Sequence, residues 1–343
     1  MNKTNRFVGI LVANQAQRKS VLKQYLPYKA ADLKLFCFTP SSIDWNKKRI
    51  TGLYRSTGKW VAGKFPFPQV LYNRCYDTDQ EIITRLEAEI GRHRCFNQIN
   101  RFDKLEIYNM LSRWLADYLP ETIAYDEEKA VQLLENHKII YLKPSCGHKG
   151  IGVYRAEWKN EEEIHIGQHY FSPEVIVKDT MQFLVHMNKL IDTTPYIIQK
   201  GIPMQQIKNR NFDIRALVQK NEKGLWSVTN LISRVAYKGS YNTSIFDNAC
   251  LSQDVLKRLF PPKKVNSIVR SIYDVSLRTA EIIDTESNYH MGEFSVDFVL
   301  DNDAHPWIVE LNGKPQKDLY NGLQSRSVVY RRPIEYAQYL CKP

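Results

Sequence analysis

Residues 292–300, GEFSVDFVL, and residues 306–315, PWIVELNGKP, decide the fold. In the first stretch Phe294, Val296, Phe298 and Leu300 fall on one face of a strand, which turns Asp297 to the other face. In the second, Trp307, Val309 and Leu311 alternate with Ile308, Glu310 and Asn312, so Glu310 and Asn312 stand side by side. If the two strands pair, three hard oxygen donors meet at the edge of an apolar sheet. Magnesium takes such a set when phosphates and water fill its other positions. Taken alone, the pattern also suits two strands with ordinary solvent-facing acids.

Upstream, YLKPSCGHKGIGVYR (141–155) places Lys143 at the end of a strand whose Ile140 and Leu142 point the other way. The loop from Ser145 through Gly147, His148, Lys149, Gly150, Ile151 and Gly152 leads into a second strand at 151–155. Its glycines let backbone N–H groups approach phosphate oxygens, with Lys143 supplying charge. The Walker order is absent, and a strand follows where a helix would be required. YIIQKGI (196–202) is a strand running into a linker, able to offer backbone groups and the side chains of Ile198 and Ile202 to a flat base. In FDIRALVQ (212–219), Asp213 and Arg215 share one strand face, and Arg234 sits in the next strand, 225–237.

The elements follow in a fixed order: Lys104 on a helix, Lys143 with its Gly-rich hairpin, a hinge strand, Asp-x-Arg, Arg234, then Asp297 and Glu310-x-Asn312. That series, over roughly residues 97–323, resembles the ATP-grasp superfamily. The phrases QKGIP, FDIRALVQ and ELNGKP look most like the YheC/YheD group of endospore coat-associated proteins. They are more distantly similar to ribosomal-protein glutamate ligases and D-alanine–D-alanine ligases. The resemblance implies an α/β chain (α+β lobes) with an ATP-grasp fold and an N-terminal α/β pre-ATP-grasp domain. The division it implies is 1–96 for the basic N-terminal domain and 97–343 for the ATP-grasp domain. Within the latter, a small flap-bearing lobe spans about 120–202 and a central and C-terminal metal-binding lobe about 203–343.

By that likeness Lys104 and Lys143 bind the phosphates of ATP, Gly147 to Gly152 form the flap, and Gln199, Lys200, Gly201 and Ile202 make the adenine hinge. Ser145, His148, Lys149, Ile151 and Asp213 join the nucleotide site. Asp297, Glu310 and Asn312 hold two magnesium ions, and Arg215 and Arg234 stabilise the transferred phosphoryl group. The implied reaction is ATP-dependent and ADP-forming: a carboxylate becomes an acyl-phosphate, and an amine attacks to give an amide. Such chemistry needs positioning and charge neutralisation, and a flap that keeps water out. Two departures stand out. Gln199 occupies a hinge position where many relatives have Glu. After Asn242, near the acceptor site, Asp247-Asn248-Ala249 replaces a glycine pair, which leaves a non-catalytic or weakly catalytic ATP-binding spore-coat structural protein as the alternative.

The N-terminal segment begins with a buried strand (FVGILV, 7–12), a helix over 14–26 and a strand at 33–38. A hairpin follows, with arms at 49–54 and 59–62 turning at Ser56-Thr57-Gly58. A strand at 70–72 and a helix over 79–91 complete it, with no dinucleotide-binding glycine signature. Further helices are expected at 104–118, 179–190, 252–259, 265–284 and 333–340.

Hydrophobic residues make up 43% of the 343 and charged ones 25%, enough apolar material for a sizeable core. The net charge is +11, yet residues 1–75 contain 14 Lys/Arg against Asp32 and Asp44, a balance of +12. The other 268 residues carry 34 bases and 35 acids, a balance of −1. Nucleic acid, anionic lipid, an acidic polypeptide, or water alone could face such a segment. Because the N-terminal unit borders the substrate cleft in this superfamily, an acidic peptide or protein is the expected partner, bearing on Lys47, Lys48 and Arg49. Phe36, Phe38, Trp45, Tyr54 and Trp60 are interleaved among the lysines, but aromatics at strand spacing belong to cores more often than to base-stacking platforms, so nucleic acid is not expected. Six scattered cysteines without a CxxC pair, no signal peptide and no apolar run of membrane length point to a reducing cytoplasm, with spore-coat association by resemblance.

Overall fold

A computed structural model describes residues 6–76, 80–147, 149–159 and 162–342. Among these residues the strands form three sheets. In the first, Arg6–Leu11 lies between Leu33–Phe38 and Val70–Asn73, all parallel. Strands of this kind are apolar throughout because both faces are covered. Helices Gln17–Tyr25 and Arg326–Leu340 pack on one face and helix Gln80–Ile90 on the other. The hairpin Arg49–Ser56/Lys59–Pro66 extends the sheet antiparallel, with arms longer than the sequence suggests. Thr57 and Gly58 both have positive φ (44° and 81°), which matches the right-handed twist of the two arms.

The second sheet is antiparallel, in the order Val175–Val177, Glu163–Gln168, Tyr154–Lys159, Ile139–Pro144, Tyr196–Lys200, Thr122–Ala124. Helices Glu127–His137 and Thr180–Ile191 cover one face. The strand expected at 151–155 begins only at Tyr154, because Lys149, Gly150 and Gly152 have positive φ and keep the chain turning.

The third sheet runs Phe246–Leu251, Trp226–Ala236, Arg210–Lys220, Glu293–Leu300, Pro306–Asn312. Helices Lys104–Leu115, Ser252–Leu259 and Pro262–Glu286 bury one face. On the opposite face Leu217 and Ile232 pack with the first sheet and helix Arg326–Leu340. The pairing of the last two strands slips: Asp297 faces Glu310, but Phe298 faces Ile308. The extra residue, Val309, is a β-bulge, so strict alternation over Trp307–Asn312 fails. Ile308 joins Leu311 in the core, while Val309 turns to the same side as Glu310.

The last helix begins at Arg326 rather than near 333 and contains Pro333. Proline cannot donate to the carbonyl four residues back, which is that of Val329. Gln219 Nε2 (2.9 Å) and Lys317 Nζ (3.4 Å) donate to that oxygen instead, so the interior proline leaves no buried acceptor unmet.

Candidate active site

Between the second and third sheets lies a cavity open to solvent, lined by residues of both. Each wall is a strand face fixed by the core behind it. Because Ile140 and Leu142 are buried in the small sheet, Tyr141 and Lys143 face the cavity. Lys143 Nζ donates to Gln199 Oε1 (2.6 Å), and Gln199 Nε2 donates to Thr122 Oγ1 (3.0 Å). Burial lowers the Lys143 pKa to about 8; Glu310 opposes that shift and Lys104 adds to it. Lys104 opens its helix behind the N-cap Asp103, and its Nζ reaches Pro144 O (3.2 Å) and Glu310 Oε1 (3.5 Å).

The third sheet supplies a buried square of alternating charge. Arg215 grips Asp297 with two hydrogen bonds (2.7 and 2.6 Å). Arg234 bridges Asp213 and Asp297, reaching the latter at 3.0 Å. Burial works against the Asp297 carboxylate, but Arg215 and then Arg234 hold its pKa below the ordinary aspartate value. Asn312 Nδ2 adds a hydrogen bond to Asp297 (3.2 Å), which leaves its Oδ1 to act as an acceptor or a cation ligand. Over the cavity, Gly147, Gly150 and Ile151 form a loop whose Gly150 packs on the Asn242 side chain. Asn242 is held in turn by His169 Nδ1 (2.9 Å).

Two carboxylates and an amide oxygen, beside two lysines, suit a hard cation that completes its shell with phosphate and water. Among the described residues no group of three or more His, Cys, Asp or Glu forms a cation site. The apolar part of the wall (Tyr141, Ile202, Met204, Val299, Val309) suits a flat base.

The family model for YheC/D-like ATP-grasp proteins matches residues 92–340. The chain belongs to this family. A curated YheC/D-like relative, the endospore coat-associated protein YheD of Bacillus subtilis (strain 168), is 24% identical over 321 residues, covering 89% of this chain and 70% of YheD. D-alanyl-alanine synthetase A from Vibrio cholerae O1 biovar eltor str. N16961 is similar in structure, with a TM-score of 0.55 at 12% identity over 95% of this chain and 97% of that one. The ATP-grasp ligase PsnB, in complex with a minimal precursor, Mg and ADP, gives a TM-score of 0.54 at 12% identity over 99% of both chains. This YheC/D-like protein thus carries the fold of ATP-grasp ligases.

In this YheC/D-like chain the cavity wall brings together Lys104, Lys143, Gly147, Gly150, Ile151, Gln199, Lys200, Ile202, Asp213, Arg234, Asn242, Asp297 and Glu310. Six other expected residues do not line it: Ser145, Lys149, Gly152, Gly201, Arg215 and Asn312. Arg215 is spent on Asp297, Gly152 packs on Pro144 and Tyr196, and the Gly201 N–H donates to Ile139 O (2.8 Å). Ser145 is engaged through its backbone with Pro195 and Lys104. His148 lies outside the described residues. Ile198, expected against the base, is instead buried in the small-sheet core. The sequence reading missed Tyr141, although it shares Lys143's strand face two residues earlier, and alternation could have found it. It also missed Val309, hidden by the bulge, and Met204, Tyr241 and Thr243, which carry no local signal.

Proposed function

We propose that the protein is an ATP-dependent, ADP-forming carboxylate–amine ligase of the acid–amino-acid type that makes an amide through an acyl-phosphate on an acidic peptide or protein. The observation that carries this reading is the convergence of Lys104, Lys143, Asp297 and Glu310 on one cavity beneath a glycine loop. Lys104 and Lys143 bind phosphate oxygens, and Tyr141, Ile202 and Met204 enclose the base. Asp297, Glu310 and the Asn312 oxygen would hold the magnesium, probed as a pair of ions. Bound there, MgATP supplies the phosphoryl group and neutralises the charge that accumulates on it. Arg234, on the wall, meets charge on the reacting oxygens. Arg215 is a positioning residue, fixing the Asp297 carboxylate. Asn242 seats Gly150, so loop closure excludes water that would hydrolyse an activated carboxylate.

Replacing Glu310 by Gln removes one preorganised charge and is expected to slow ADP release by roughly 10²–10³. Asp297→Asn should do the same, while also leaving the buried arginines undercompensated. Unchanged turnover in both variants would remove the mechanism.

A second reading is a non-catalytic ATP-binding protein of the spore coat. It is favoured by the Asp247-Asn248-Ala249 stretch, which lies in strand Phe246–Leu251 with Asp247 paired to Arg210 rather than forming an open glycine turn. In both readings nucleotide raises thermal stability; only the first gives ADP release dependent on Glu310. The name of the YheD relative supports association with the endospore coat; synthesis in the cytoplasm belongs to the same proposal. Among the described residues no helix is long and apolar enough to cross a membrane.

A further inference from the structure

The hairpin Arg49–Ser56/Lys59–Pro66 extends the first sheet next to Leu33–Phe38. One of its faces points Ile50 and Phe65 into the core. The other presents Arg49 and Thr51, with Ala62 and Lys64 from the second arm, and all four are exposed. Two adjoining concavities lie on this face and share Asp44 and Thr51. They form one groove, with Arg18 at one end and Lys47, Arg49 and Lys64 at the other.

The charge is one-sided: four bases line the groove against Asp44, whose contact with Lys47 is a 4.0 Å pair between exposed groups. Arg18 donates to Gln15. Lys48, by contrast, turns away to Glu89 (2.9 Å). Small residues make the floor, so an extended backbone can lie close to it. Strand Lys59–Pro66 pairs with Arg49–Ser56 on one side, and among the described residues no strand occupies its other edge. Open strand edges take up extended peptide.

The aromatics of this segment are committed elsewhere. Phe36 and Phe38 are buried, Trp45 packs on Phe67 under Arg85, Tyr54 packs on Phe65, and Trp60 lies against the cluster containing Tyr25. No row of rings is left on which bases could stack.

The groove opens beyond the C-terminal ends of Arg6–Leu11 and Leu33–Phe38, where Gln15 and Ser42 lie. Along the same sheet edge, Arg74 and Tyr76 donate to the carbonyls of Pro315 and Lys314, just past the strand that carries Glu310. The groove and the metal-binding strand therefore border one edge of the first sheet.

We propose that this groove docks an extended, Glu/Asp-rich segment of the peptide substrate, away from the nucleotide cavity, and so selects which peptide the enzyme modifies. The proposal rests on the ligase reading for the word substrate, and on the groove alone for the binding. The test is fluorescence anisotropy of the full chain with labelled polyglutamate, alongside polylysine and oligothymidylate. Polyglutamate should bind, with affinity falling as salt rises. Arg49→Glu with Lys64→Glu should weaken it at least tenfold, and Arg49→Lys with Lys64→Arg should restore it. MgATP affinity should be the same in all three proteins, which also certifies that they are folded. Unchanged polyglutamate affinity in the charge-reversed protein, or oligothymidylate binding as tight as polyglutamate, would overturn the proposal. Polyglutamate binding that depends on the groove in a protein that releases no ADP would sink the ligase reading and leave the docking surface standing.

Discussion

Lys143 shows how far one buried group can be pushed by its surroundings, and it gives the site a pH signature. Burial brings its pKa down to about 8, so the folded protein releases a proton that the unfolded chain keeps to about 10.5. Between those values the native state binds fewer protons, and Lys143's contribution to stability rises with pH. Nucleotide affinity should move oppositely. Phosphate binding requires the charged amine, so affinity holds below about pH 8 and falls by up to tenfold per unit above it. Titrations at about pH 7 and about pH 9 check this. Lys143→Arg, charged throughout, should flatten the dependence, and parallel curves for the two proteins would contradict the assignment. Glu310, on the wall beside Lys104, is a cleaner probe than Asp297, because the latter also neutralises two buried arginines.

At the scale of elements, the site was legible wherever a plain period of two held. Asp213 with Arg215, and Lys143 opposite Ile140 and Leu142, read directly because their strands are regular at these positions, the bulge of Arg210–Lys220 falling later, at Leu217/Val218. The reading failed where one residue breaks the count. The Val309 bulge moved Ile308 into the core, and positive φ at Lys149, Gly150 and Gly152 delayed a strand. Pro333 resembled a helix start because its compensation, side chains reaching the Val329 carbonyl, comes from residues distant in sequence. Helix Glu127–His137 was missed despite Asp126 as N-cap and Ala130, Leu133 and Leu134 along one face. The glycine loop yields a prediction at this scale. Gly150 has φ +68°, and an added Cβ would run into the Asn242 side chain. Gly150→Ala should cost only about 1 kcal/mol of stability, since the loop is peripheral, yet weaken nucleotide binding about tenfold by unseating the loop. Melting curves and nucleotide titration together separate the two effects; an unchanged affinity would mean that the loop does not close over the ligand.

Across the whole molecule, the first sheet and the third are joined by buried charge that no local pattern announced. Glu293 is fully buried, takes hydrogen bonds from Tyr72 and Gln219, and pairs with Lys317 (2.7 Å) and Arg74 (3.6 Å). Burial brings Lys317 down to about 7, with Glu293 resisting. Glu293→Gln would leave two buried cations undercompensated and should cost about 3–5 kcal/mol in urea unfolding, whereas a surface change such as Lys59→Gln should cost almost nothing. These contacts tie the basic N-terminal segment to the strand that carries Asp297, four residues beyond Glu293. The +12 of that segment thus belongs to a unit locked onto the third sheet, not to a loose appendage. The central claim, activation of a carboxylate by ATP, is tested most directly by hydroxylamine trapping with MgATP and an extract of the source cells. The account predicts a hydroxamate product that forms with the wild-type protein and is absent with Glu310→Gln. A protein that binds MgATP but yields no hydroxamate, or the same yield from Glu310→Gln, would contradict it.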